Sequence, residues 1–212
     1  MCNLDEFRLM TKAATLVERL VRRGLGCCAG MHEVLRWASD KPGSKWARLS
    51  RIEWDQDLAS AGAWFNALAA NGKLPASIRG LWFTVPEIGI NEPILFVGGF
   101  TSFRPGKDLE WATDPVWPDH QDLLFQMDAL AVAKRALGLG DDYSSQKASD
   151  EALALYVLPL AYTAFLVGGV CRGLVIDANR IPKRGVGVAA GFAGGDYVPI
   201  GTITRTGFQR PK

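Results

Sequence analysis

The sequence predicts an α+β fold, with an antiparallel sheet built from hairpins and packed against several helices. Three observations predict it. Amphipathic helical stripes occupy residues 3–72, two short β-rich runs joined by a loop lie at 78–100, and a second such pair closes the chain at 186–205. The order helices, hairpin, helices, hairpin belongs to an α+β domain rather than to alternating βαβ units. A chain of 212 residues, 48% hydrophobic and 22% charged, fits one globular domain. No internal repeat or low-complexity linker divides it. One domain over 1–212 is therefore expected, with N-terminal helices over 3–72 and sheet and helices over 78–205. A core of this size needs no disulfide or metal staple.

The first helix is expected over 3–22. Phe7, Met10, Ala14, Val17 and Val21 form one apolar stripe, and Asn3 and Glu6 have capping-box spacing. Arg22-Arg23-Gly24 then supplies a basic last turn and a glycine stop. A shorter helix over 28–38 ends at Lys41-Pro42-Gly43-Ser44. A third covers 57–71, where Leu58, Ala61, Phe65 and Leu68 share a face beside Trp64. The runs Ile78–Val85 and Ile94–Phe100 read as strands, apolar at successive positions and so covered on both faces. The eight residues between them suit an antiparallel hairpin. Residues 101–118 read as loop, and Asp119 opens a helix to Leu137 with Gly138 past its end. Val186, Val188, Ala190 and Phe192 alternate with small residues, Ala193-Gly194-Gly195-Asp196 turns, and Tyr197–Arg205 returns.

Ser149, Asp150 and Glu151 cap a further helix that includes Ala152–Cys171, twenty residues without a formal charge. As a helix this run is long enough to cross a bilayer. Tyr162 near its midpoint, Pro159, Thr163 and Gly168-Gly169 argue instead for a helix buried in a soluble domain, kinked or broken at Pro159. The N-terminus reads Met-Cys-Asn-Leu-Asp-Glu, without the basic and apolar regions of a secretory signal. Cysteines at 2, 27, 28 and 171 have neither disulfide-framework nor C-x-x-C spacing. A cytoplasmic protein with reduced thiols and no membrane span is expected.

Chemical motifs are sparse. Gly185-Val-Gly187-Val-Ala-Ala-Gly191 has the composition of a dinucleotide loop, but a strand runs through it where a helix would have to start. Its small residues would instead admit a close neighbour onto the sheet. His32-Glu33 lacks the second histidine of a zinc-protease helix, since position 36 is arginine. The chain has 2 histidines, so a three-histidine metal site is impossible. No cofactor or metal is expected. Cys28 and His32 are four apart and would share a helix face, which suits a thiolate–imidazole pair or, equally, chance.

The most unusual stretch runs from Asp108 to His120. It packs Trp111, Trp117, four carboxylates including Asp114 and Asp119, and His120 into one loop. Such indoles among acids suit anchors for a basic protein partner. They also suit plugs at a sheet edge, with Asp119 as a helix cap. Charge is segregated around it. Residues 108–151 hold ten acids and three bases, while 1–52 hold ten bases and five acids and 172–212 hold seven bases and two acids. The basic residues are scattered without a nucleic-acid reader motif, so no nucleic-acid partner is expected.

Arg79-Gly-Leu-Trp-Phe, Leu95-Phe-Val-Gly-Gly-Phe and Glu110-Trp-Ala-Thr-Asp-Pro-Val-Trp-Pro, followed by Val188-Ala-Ala-Gly-Phe-Ala-Gly-Gly-Asp, resemble the successive motifs of a group of poorly characterised bacterial proteins. Glu110 and Thr113 stand where that group carries aspartate and cysteine. The resemblance implies an immunity partner in a bacterial toxin system and brings no catalytic residues. Together these readings predict a protein-binding module that neutralises a toxin by direct contact, through Trp111, Asp114, Trp117, Asp119 and His120. The alternatives are a small hydrolase or transferase with a site near Cys28/His32 or Asp114/His120, and a structural subunit of a homo-oligomer with the 152–171 helix partly in the interface.

Overall fold

A computed structural model describes residues 4–39, 45–71, 74–86, 93–106, 109–118, 124–139, 149–174 and 181–212. The fold is α+β. Helices α1 (Leu4–Arg23), α2 (Cys27–Ser39) and α3 (Leu58–Asn71) precede strands β1 (Gly80–Val85) and β2 (Ile94–Phe100). The short β3 (Phe125–Gln126), α4 (Asp128–Leu137) and α5 (Ser149–Arg172) follow, then β4 (Val186–Phe192), β5 (Tyr197–Thr204) and β6 (Gly207–Gln209). The strands form one sheet in the order β3-β2-β1-β4-β5-β6.

That sheet is mixed, which corrects the expectation of a purely antiparallel one. β1 pairs antiparallel with β2, and β4 with β5, as their short connections require. The two hairpins meet through β1 and β4, which run parallel with Leu81 opposite Val188. Turn chemistry dictates pairing inside a hairpin. The direction in which two hairpins meet is decided by the long connection between them, here long enough for a parallel crossover. Pro199 in β5 sits opposite Ala189, where the register shifts, so the residue without an N–H falls at the irregularity.

α5 is the core helix. It packs against α1, α2, α3 and α4 and against β1, β4, β5 and β6. Its length and composition suit a membrane span, but 78% of its most apolar window is buried inside the protein. It continues through Pro159 as one element, so no break occurs there. Gly30 of α2 makes close approach possible: a Cβ there would stand 2.6 Å from the Phe165 ring of α5. α1 contributes Ala13, Leu16, Val17, Leu20 and Val21 to the core. Phe7, which heads the expected stripe, is instead 65% exposed.

Two aspartates cap helices far away in sequence. Neither α2 nor α4 begins on a side-chain cap of its own; Met127, at the N-cap of α4, makes no such bond. Asp55 accepts from the Cys28 N–H of α2 at 3.0 Å, and Asp57 accepts from the Ala129 N–H of α4 at 3.0 Å. α4 therefore starts at Asp128, nine residues after the expected Asp119, and Phe125 pairs with Leu95 of β2 beforehand. Asp119 and the Asn3/Glu6 box lie outside the described residues or side chains.

Asp57 is 4% exposed and also accepts from the Tyr162 hydroxyl at 2.7 Å, with the Trp54 ring 5.5 Å from that of Tyr162. Burial raises the Cys27 thiol well above its ordinary range, and nearby Asp55 and Asp57 raise it further. Burial raises Tyr162 as well, helped by its bond to Asp57, and pushes Cys171 up to about 12. These groups are neutral when protonated, so the folded chain retains protons that the unfolded chain releases. Their contribution is complete below the ordinary thiol value of 9.0 and is lost as pH rises above it. Stability should therefore fall between about pH 9 and about pH 11 by ~1.4 kcal/mol per pH unit for each ionising thiol. Urea midpoints across that range check this. Cys171→Ala should flatten the slope, and an unchanged slope would refute the assignment.

Candidate functional site

The helices cover one face of the sheet, taking Leu81, Phe83, Val97, Val188 and Ala190 into the main core. The other face is covered by chain from the segment 101–118, which begins with Phe103. The Phe103 ring lies over Gly187 of β4, where any Cβ would overlap it. The glycine string is thus a strand that admits a ring, not a phosphate loop. Trp111, in a 3₁₀ turn over Leu109–Ala112, packs among Phe103, Phe100 and Trp82, with ring centroids at 5.0, 5.6 and 5.9 Å. Tyr197 closes the cluster, and its hydroxyl accepts from the Gly106 N–H at 2.9 Å.

The second indole goes elsewhere. Trp117 bridges the outer edge of β2: the Gly99 N–H donates to its carbonyl at 2.6 Å, and the Val116 N–H donates to Gly99 O at 2.8 Å. Its ring reaches round the edge to meet Phe65 of α3 at 6.3 Å, edge to face. Trp111 is 5% and Trp117 3% exposed, so both indoles are packing elements of this loop. Asp114 and Glu110 are exposed. Asp119 and His120 lie outside the described residues.

Between the loop and the sheet lies an open groove of about 470 Å³. Trp82, Thr84, Phe96 and Gly98 contribute its floor from β1 and β2; Ala112, Pro115, Trp117 and Pro118 contribute a wall from the loop. No acidic, basic, histidine or cysteine side chain is in its described lining. The carboxylates of Glu110 and Asp114 lie two residues on either side of the lining residue Ala112. The indole N–H groups of Trp82 and Trp111 are buried without an acceptor. A buried, unmatched donor carries a standing penalty of about 1–3 kcal/mol. Sequence reasoning finds the loop through its tryptophans but misses Trp82, Thr84 and Gly98, because a groove floor carries no local signature.

Among the described residues, the groups suited to catalysis are dispersed. Cys28 Sγ and His32 Nδ1 are 3.9 Å apart on α2, on the helical side of the sheet. Asp114 belongs to the loop over the other face. Cys28, His32 and Asp114 therefore do not converge on one pocket. Among the described residues no three metal-binding side chains cluster. Comparison with protein-family models, with curated proteins and with solved structures finds no match to this chain.

Proposed function

We infer that this protein is a protein-binding module of the immunity type, which neutralises a bacterial toxin by direct contact. The observation that supports this reading is the groove, 470 Å³ of space whose described lining carries no titratable group. An apolar described lining of this kind suits contact with an apolar part of a partner. The exposed Glu110 and Asp114 on the segment that walls the groove favour a partner with a basic surface, in keeping with a basic toxin domain. A cytoplasmic setting agrees with the free thiols of Cys27, Cys28 and Cys171.

The test is rescue of growth. The chain should relieve the toxicity of the product of a neighbouring gene when the two are made together. Ala193→Trp, which adds an indole at an exposed position in the groove lining, should abolish that rescue while the variant melts as the unmodified protein does. Rescue that survives Ala193→Trp, or no toxic neighbour to relieve, would remove the reading.

A further inference from the structure

We propose that Cys28 and His32 are the two protein donors of a copper(I) site on the first turns of α2. The site lies apart from the groove and stands or falls independently of the binding reading above.

The donors are placed for one ion. Four residues apart, they share one face of α2. Cys28 Sγ is 3.9 Å from His32 Nδ1. First-row metal ions sit about 2.3 Å from a thiolate sulfur and about 2.0–2.1 Å from an imidazole nitrogen. An ion at those distances from both atoms would subtend an angle of about 125–130° between them. That is close to the ~120° of a trigonal centre, so the helix need not move to accept the ion. The helix is also held in place. Gly30 lies against the Phe165 ring, and Met31 and Val34 belong to the main core. A scaffold fixed in this way loses little freedom when the ion binds.

The donors can be reached, and their surroundings favour a cation. Cys28 is half-buried and His32 is exposed. Asp55, also exposed, accepts from the Cys28 N–H at 3.0 Å, so a carboxylate stands beside the turn that carries the thiol. Negative charge there attracts a positive ion. Arg36 of the same helix is paired with Glu33.

The donor set selects the ion. Among the described residues no third metal-binding side chain joins the pair. Zinc takes four ligands, three or more of them from the protein, and calcium and magnesium take oxygen. A thiolate with an imidazole is a soft pair that suits copper(I), an ion content with few ligands. On binding, the Cys28 thiol loses its proton to solvent and the sulfur bonds to copper, with no change of oxidation state. Water or a small thiol from solution completes the centre.

The experiment uses the full chain carrying Cys2→Ser, so that Cys28 is the remaining cysteine that is not buried; Cys27 is 1% and Cys171 2% exposed. Copper(I), kept reduced without oxygen, is titrated in against the chromophoric chelator bicinchoninate. One copper per chain should be retained, and X-ray absorption should find sulfur at about 2.3 Å and nitrogen at about 2.0 Å. Cys28→Ser should abolish retention. His32→Gln should weaken it at least about tenfold, the smallest loss usual when even an outer partner of a metal is removed. Both variants are melted alongside the reference, and exposed His32→Gln decides the matter if Cys28→Ser proves unstable. Loss of all copper to the chelator, retention undiminished in His32→Gln, or a centre without nitrogen would each overturn the proposal. Zinc held as tightly as copper(I) would overturn the assignment of the ion.

Discussion

Replacement of Asp57 by alanine should destabilise the protein by about 3–5 kcal/mol, measured by urea unfolding. The carboxylate is 4% exposed and accepts from the Tyr162 hydroxyl and the Ala129 N–H. Alanine leaves both donors buried and unmatched, at about 1–3 kcal/mol each. The second of these bonds is the first-turn cap of α4. Against a total stability of about 5–15 kcal/mol, that is a large share. Two comparisons separate the parts. Tyr162→Phe removes one donor and leaves the α4 cap, so it should have a smaller effect. Asp55→Ala removes only the bond to the Cys28 N–H and should cost about 1 kcal/mol, as helix caps usually do. If Asp57→Ala were no more destabilising than Asp55→Ala, the buried carboxylate would not join α3, α4 and α5 as described.

Trp117→Ala should have an effect of similar size, about 3–5 kcal/mol, as expected of a large buried aromatic side chain. The ring is 3% exposed, belongs to the main core and packs edge to face on Phe65. Trp117→Phe should recover much of the loss, because a ring still closes the edge of β2. The two outcomes are read from denaturant midpoints. The expected consequence for binding studies is practical: a Trp111, Asp114, Trp117 triple substitution would unfold the loop and tell nothing about contact. Glu110 and Asp114, exposed on the same loop, are the positions that probe the partner without disturbing the core. Full stability in Trp117→Ala would show that the indole is not a core element.

Much of the fold is legible in the sequence because its signals are local. The apolar face of α3 over Leu58, Ala61, Phe65 and Leu68, the two-sided burial of β1 and β4, and the αL stop at Gly138 follow from periodicity and backbone preference. The start of α4 is not legible. The residue that caps it, Asp57, is 72 positions upstream, so a search for a nearby cap settles on Asp119 instead. Phe7 misleads for a related reason. Its spacing continues the stripe of α1, but the described packing of that helix begins at Leu9, partly buried against the core, and its buried residues begin at Ala13. A period identifies a face; it does not say how far along the helix a neighbour extends.

The candidate site divides in the same way. By itself the sequence determined that residues 108–120 are an aromatic and acidic stretch, that no familiar catalytic or metal-binding spacing is present, and that Ala152–Cys171 can be a wholly uncharged helix. Only the tertiary structure decided that Trp111 and Trp117 turn inward on opposite sides of the sheet, while Glu110 and Asp114 of the same segment stay exposed. It alone decided that β1 and β4 run parallel, and that α5 is enclosed by helices and strands. The physical reason is range. Propensity, periodicity and turn chemistry act over a few residues, whereas the sense of the central strand pair, the caps of α2 and α4 and the groove floor all join segments far apart in the chain.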